Sequence, residues 1–90
     1  MLTTFIVDFR AALNGGSLGF ARLDRDLAFA PTPDIQYEHP VWHKARRPAS
    51  VKYNIDEQSF HVILQHDDID PKDLKAHTEM YGEHKWTVHP

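Results

Sequence analysis

Ninety residues, 41% of them hydrophobic, suffice for one modest core and leave little room for a deep internal site. The formal charge of −3 lacks the overall cationic footprint of a general nucleic-acid binder. The absence of cysteine removes disulfides, thiolate metal sites and thiol nucleophiles, and suits a reducing compartment.

The N-terminal stretch MLTTFIVDFRAAL carries Asp8 and Arg10 inside its apolar part, which is not the pattern of a signal peptide. No run approaches membrane-spanning length. A cytoplasmic protein with no membrane partner is the expectation.

Phe5, Val7 and Phe9 alternate with Ile6, Asp8 and Arg10, the period of a half-buried strand. Asn14-Gly15-Gly16-Ser17 follows as a tight-turn signal. The returning arm, Leu18 to Phe29, changes apolar parity: Leu18 and Phe20 are even, Leu23, Leu27 and Phe29 odd. A β-bulge near Ala21-Arg22 would shift the phase. Arg25 then shares the face of Leu23 and Leu27, with its stem on the core and its head in water, or receives an anion or a carboxylate such as Asp8.

The segment 30–50 contains Pro31, Pro33, Pro40 and Pro48, which forbid a continuous strand or helix. A loop of this length is often functional. Tyr37, Trp42, His43, Lys44, Arg46 and Arg47 mix aromatic and cationic groups within it. These six are the candidate binding residues, and 35–47 the candidate recognition surface. The same chemistry serves single-stranded nucleic acid, whose bases stack on rings and whose phosphates meet cations.

Residues 51–65, VKYNIDEQSFHVILQ, alternate on both sides of a polar turn and predict a second hairpin. Phe5, Val7, Tyr53, Val62 and Leu64 should meet in one interior. Asp70 as N-cap, Pro71 at the first helical position and Gly82 as the stop predict a helix over 71–81. The neighbouring Asp67 and Asp68 read as helix-capping and solvated. Trp86 and Val88 alternate in a tail strand, 84–89.

The resulting expectation is a single α+β domain, mostly β. Two hairpins, 3–29 and 51–65, would form a curled antiparallel sheet of four or five strands, or a partly open small barrel, with the C-terminal helix packed on it. Hairpins and caps of this kind are generic and name no family.

Functionally, the first reading is a small non-enzymatic binding or adaptor domain that self-associates through a sheet edge or face. Ile6 and Ile63 would form a second apolar surface, and the partner would be a protein or a small ligand. A second reading is a histidine-dependent enzyme with a shallow site. His43 or His61 would be the general base, and Arg25 or Arg46 would stabilise an anion. A third is pH sensing, because charging all seven histidines would reverse the sign of the net charge. No cofactor is expected. The least unsuitable metal set is His61, His77 and His84; without cysteine, such a site would have to use histidine and carboxylate only.

Overall fold

The computed structural model describes residues 1–90. Its central strand is β1, Leu2–Ala11. On one side β1 pairs antiparallel with β2, Ser17–Asp26, and on the other it pairs parallel with β4, Ser59–Leu64. The edge strand β3, Pro48–Asn54, is antiparallel to β4. The chain bends after Leu64 and returns to β1 as a short parallel strand, β5, Asp67–Ile69. The helix α1, Leu74–Glu83, leads to β6, Thr87–His89, antiparallel to β2. The open sheet therefore runs β3-β4-β1-β2-β6, with β5 continuing the line of β4 along β1. This is a mostly-β α+β fold with one helix on the sheet. No helix is long and apolar enough to cross a membrane.

The two hairpins form, but they join through a parallel β1–β4 contact that the expected all-antiparallel sheet did not contain. Local alternation fixes which face a strand buries. It does not fix the direction in which a 21-residue crossing, 27–47, delivers the next hairpin. In the central position β1 buries Thr3, Thr4 and Phe5 consecutively; on the uncovered face the short Thr4 side chain lies between Asp24, to which it donates at 2.7 Å, and His61.

The core lies on one side of the sheet. Phe5, Val7 and Phe9 of β1, Ala21 and Leu23 of β2, and Val62 and Leu64 of β4 face Tyr81 and Trp86. Phe9 meets the Tyr81 ring at 5.2 Å between centroids. Tyr53 does not join them. It is half-exposed and packs edge-on to Phe60 at 4.9 Å, because β3 is an edge strand and this end of it lies beyond the helix. Ile55, expected in the strand, belongs to the turn 55–58 and is exposed.

The phase change in β2 comes earlier than expected. Phe9 pairs with Gly19 and Arg10 with Ser17, which leaves Leu18 unpaired in a bulge. Leu18 packs on the core, whereas Phe20 turns to the other face and stacks on His89 at 4.7 Å. The bulge falls next to a residue without a side chain: Gly19 has φ +119°, and a Cβ there would lie 2.3 Å from the His89 carbonyl oxygen.

Asp70 caps the turn that starts the helical segment, accepting from the Lys72 amide at 3.2 Å. Pro71–Asp73 form a 3-10 turn before α1. Gly82 does not stop the helix, which runs on to Glu83. The reversal falls at Lys85, φ +70°, and the Trp86 amide closes it by donating to the Tyr81 carbonyl at 3.1 Å.

Candidate functional site

The crossing segment is an arch pinned at its feet. Tyr37 and Arg46 exchange backbone hydrogen bonds of 2.8 Å in each direction, and the Trp42 amide donates to the His39 carbonyl at 2.9 Å. Pro33 stands in a turn closed by the Ile35 amide on the Thr32 carbonyl at 3.3 Å, Pro40 in the turn at the tip, and this small closed loop holds the aromatic residues against the inner face of the sheet. Tyr37 meets Phe5 edge-on at 5.1 Å.

Two of the six candidate binding residues serve the fold. The Trp42 indole N–H donates to the Tyr81 hydroxyl at 3.0 Å. The Arg46 guanidinium lies 4.8 Å above the Trp42 ring, reaches the Asp67 carboxylate at 2.5 Å and contacts the Gln65 carbonyl at 3.3 Å. Tyr37 is turned inward, and its hydroxyl is buried without a partner. Burial pushes that phenol's pKa up. His43, Lys44 and Arg47 are exposed.

Asp67 is the centre of the polar interior, not the solvated aspartate expected from its His-Asp-Asp context. Its side chain is 8% exposed. Besides Arg46 it accepts from the Tyr81 hydroxyl and from His77 Nε2, both at 2.8 Å. A carboxylate can only accept, so the Nε2 nitrogen carries the hydrogen. Burial, followed by the charge of Asp67 and its hydrogen bond, pushes the Tyr81 phenol far above its ordinary pKa. Imidazole beside carboxylate is a general-base arrangement. Here Tyr81, Arg46 and the Phe9 ring, which meets His77 at 5.0 Å, pack around the pair, so that Asp67 is nearly enclosed while His77 keeps 24% of its side chain exposed.

The other histidine assignments separate. His61 lies on the uncovered face of the sheet beside Thr4, with Nε2 3.0 Å from Glu57. His43 is on the arch and Arg25 on the inner-face row with Thr3, so the three proposed catalytic groups do not meet. The Arg25 guanidinium is exposed and donates to the Asp24 carbonyl at 2.8 Å, while Asp8 approaches Arg10 instead. His77 lies beneath the helix, and His84 sits at its C-terminal end with Nδ1 3.1 Å from the Met80 carbonyl. The metal set His61, His77 and His84 is therefore not assembled, and no other group of three His, Asp or Glu residues is placed to hold an ion.

Between arch and sheet lies a cleft of about 250 Å³. Phe5 and Leu23 line it from the sheet, and Tyr37, Trp42 and Trp86 line it from the arch and tail. Leu27 completes the apolar lining, and Arg25, Glu38 and His39 contribute its polar groups. The Trp86 indole N–H donates to His39 Nε2 at 3.2 Å, and the Val41 amide faces His39 Nδ1 at 3.2 Å. A neutral imidazole accepts at only one of its nitrogens, so one of these two approaches is a hydrogen bond and the other is not; a protonated ring would accept at neither. Burial, then the nearby charges of His84 and Arg25, lower the His39 pKa.

Sequence reasoning singled out Tyr37, Trp42, Arg46 and Arg25 around this region but missed Asp67, Tyr81, Trp86 and His39 as its organisers. The helix stripe of Leu74, His77 and Tyr81 was the available signal for Tyr81. Nothing local marked Asp67 for burial. No family model, curated protein or solved structure matches the chain.

Proposed function

We propose that the chain is a small non-enzymatic binding domain whose ligand site is the aromatic cleft between the 35–47 segment and the sheet. The carrying observation is that the two tryptophans of the chain and Tyr37 converge on one concavity over Phe5 and Leu23. Apolar clefts with a few polar groups are the usual form of small-molecule sites. The lining favours binding over chemistry. It offers no aliphatic hydroxyl, its one carboxylate, Glu38, is exposed, and its one imidazole is already engaged by an indole N–H. A base-stacking role has less support, since Arg46 covers one face of Trp42 and its edge is held by Tyr81.

Both indole N–H resonances report on the cleft, so a library of planar aromatic fragments can be screened by two-dimensional NMR. Saturable shifts of both signals, abolished in Leu23→Trp, are expected. Fragments that move neither signal would remove the reading.

A second copy is the proposed partner for the uncovered face. Ile6 and Ile63 are register partners there, both half-buried without a covering element. Both acidic and basic groups lie beside them on β1 and β2: Asp8, Arg22 and Asp24. A two-fold related copy can therefore place opposite charges together. Sedimentation velocity at high micromolar concentration should show a dimer that Ile63→Lys dissociates. A parent that sediments as a monomer rejects the pairing.

A further inference from the structure

We propose that the cleft takes a small amphipathic monoanion, its flat apolar body against Trp42 and Trp86 and its carboxylate on Arg25. This rests on the cleft reading above and adds the charge and chemistry of the ligand.

Beyond the cleft, a polar groove is lined by Arg22, Asp24, Arg25, Lys85, Thr87 and His89, together with Leu23. The apolar cleft and this groove share Leu23 and Arg25, so they adjoin across β2 at the foot of the arch. The junction exists because β6 pairs only with Phe20, Ala21 and Arg22. The rest of β2 is left without an outer neighbour where Lys85 turns the chain.

The charges are not balanced locally. Arg22 is 3.2 Å from Asp24, which also accepts from Thr4 at 2.7 Å. Arg25 and Lys85 take part in no ion pair. An acidic chain, formal charge −3, thus presents one cation free of ion pairs, Arg25, on the lining of its aromatic cleft, and a second, Lys85, in the adjoining groove. Arg25 spends one donor on the Asp24 carbonyl. The remaining donors of its planar fork suit the two oxygens of a carboxylate. Glu38 on the cleft lining disfavours a doubly charged phosphate, which argues for a single negative charge. The cleft volume of about 250 Å³ admits one or two fused rings with a short chain, and excludes larger bodies.

The test uses three compounds with one ring system, 3-indolepropionate, its primary amide and tryptamine, titrated into the full chain at low ionic strength. Protein indole N–H shifts are the readout. The acid is expected to bind about five- to tenfold more tightly than the amide, the gain of a charge-assisted hydrogen bond in a solvent-exposed setting. Arg25→Gln should bring the acid down to the affinity of the amide. Added salt should weaken the acid and leave the amide unaffected. Equal binding of acid and amide overturns this inference and leaves the cleft as the site. Tighter binding of tryptamine overturns it by making Glu38 the selecting group. If none of the three moves the Trp42 and Trp86 signals, the inference falls together with the reading on which it rests.

Discussion

Trp42 and Tyr81, separated by 39 residues, are joined by a 3.0 Å hydrogen bond from indole N–H to phenolic oxygen. The same oxygen donates its hydrogen to Asp67 at 2.8 Å, so one hydroxyl ties the arch to the helix and to β5. Tyr81→Phe keeps the ring in place and removes both bonds, leaving the Trp42 donor and one Asp67 lone pair unmatched. The expected loss is about 1–3 kcal/mol in urea unfolding, with Trp42 fluorescence shifted to the red. A change within about 0.5 kcal/mol, the range of an ordinary surface substitution, would contradict this role.

Asp67 and Arg46 should respond unequally. Asp67 is 8% exposed and Arg46 24%. Asp67→Asn removes the charge that holds the guanidinium, and the neutral amide presents an N–H₂ group to donors. Breaking a buried pair from one side costs about 3–5 kcal/mol, and the water-accessible quarter of Arg46 places this case at the lower end. Arg46→Met leaves Asp67 accepting from His77 and Tyr81, so its cost should be smaller. Urea midpoints of the two variants decide it, and an Arg46→Met protein less stable than Asp67→Asn contradicts the ranking.

Stability should fall at alkaline pH. The Tyr81 phenol is raised by burial and by Asp67, and that of Tyr37 by burial. An unfolded tyrosine loses its proton near pH 10. Above that pH the unfolded chain binds fewer protons than the folded one. The contribution of both groups is therefore complete below about pH 10 and lost as pH rises toward their folded values. Urea midpoints measured from neutral pH upward should hold steady and then drop. Tyr81→Phe, less stable at neutrality, should show a shallower drop. A variant with the parent's alkaline slope would remove Tyr81 from this account.

Local pattern made the strands legible because alternation is a property of the chain alone. Phe5, Val7 and Phe9 bury as their spacing requires, and Asp70-Pro71 starts a helical segment as cap chemistry requires. The parallel β1–β4 pairing was not legible, since it depends on where the arch delivers the chain. Asp67 was hidden for a related reason. Its three donors come from positions 46, 77 and 81, and only the assembled fold distinguishes it from the exposed Asp68 beside it. In the 35–47 segment, composition signalled aromatic and cationic chemistry. Which side chains brace the arch and which stay free was decided by contacts distant in sequence.

Gly19 carries a prediction that links the bulge to the cleft. Its φ of +119° is a conformation that residues with a side chain rarely adopt, and its missing Cβ leaves room for the His89 carbonyl. In Gly19→Ala either β2 flattens or β6 retreats. The first disturbs β1, to which β2 is paired along nearly its whole length; the second gives up only three register pairs. Retreat of β6 is therefore the cheaper response. Local opening relieves the clash with the His89 carbonyl, whereas the backbone strain of about 1–3 kcal/mol stays in β2 as lost stability. Hydrogen exchange should accelerate at Thr87–His89 while β1 and β4 stay protected. Trp86, immediately before β6, would then lose its hold on His39 and loosen one wall of the cleft. Aromatic fragments should accordingly bind more weakly to Gly19→Ala than to the parent. A variant with parental protection in β6 would show that the close approach of Gly19 to His89 is not what seats this strand.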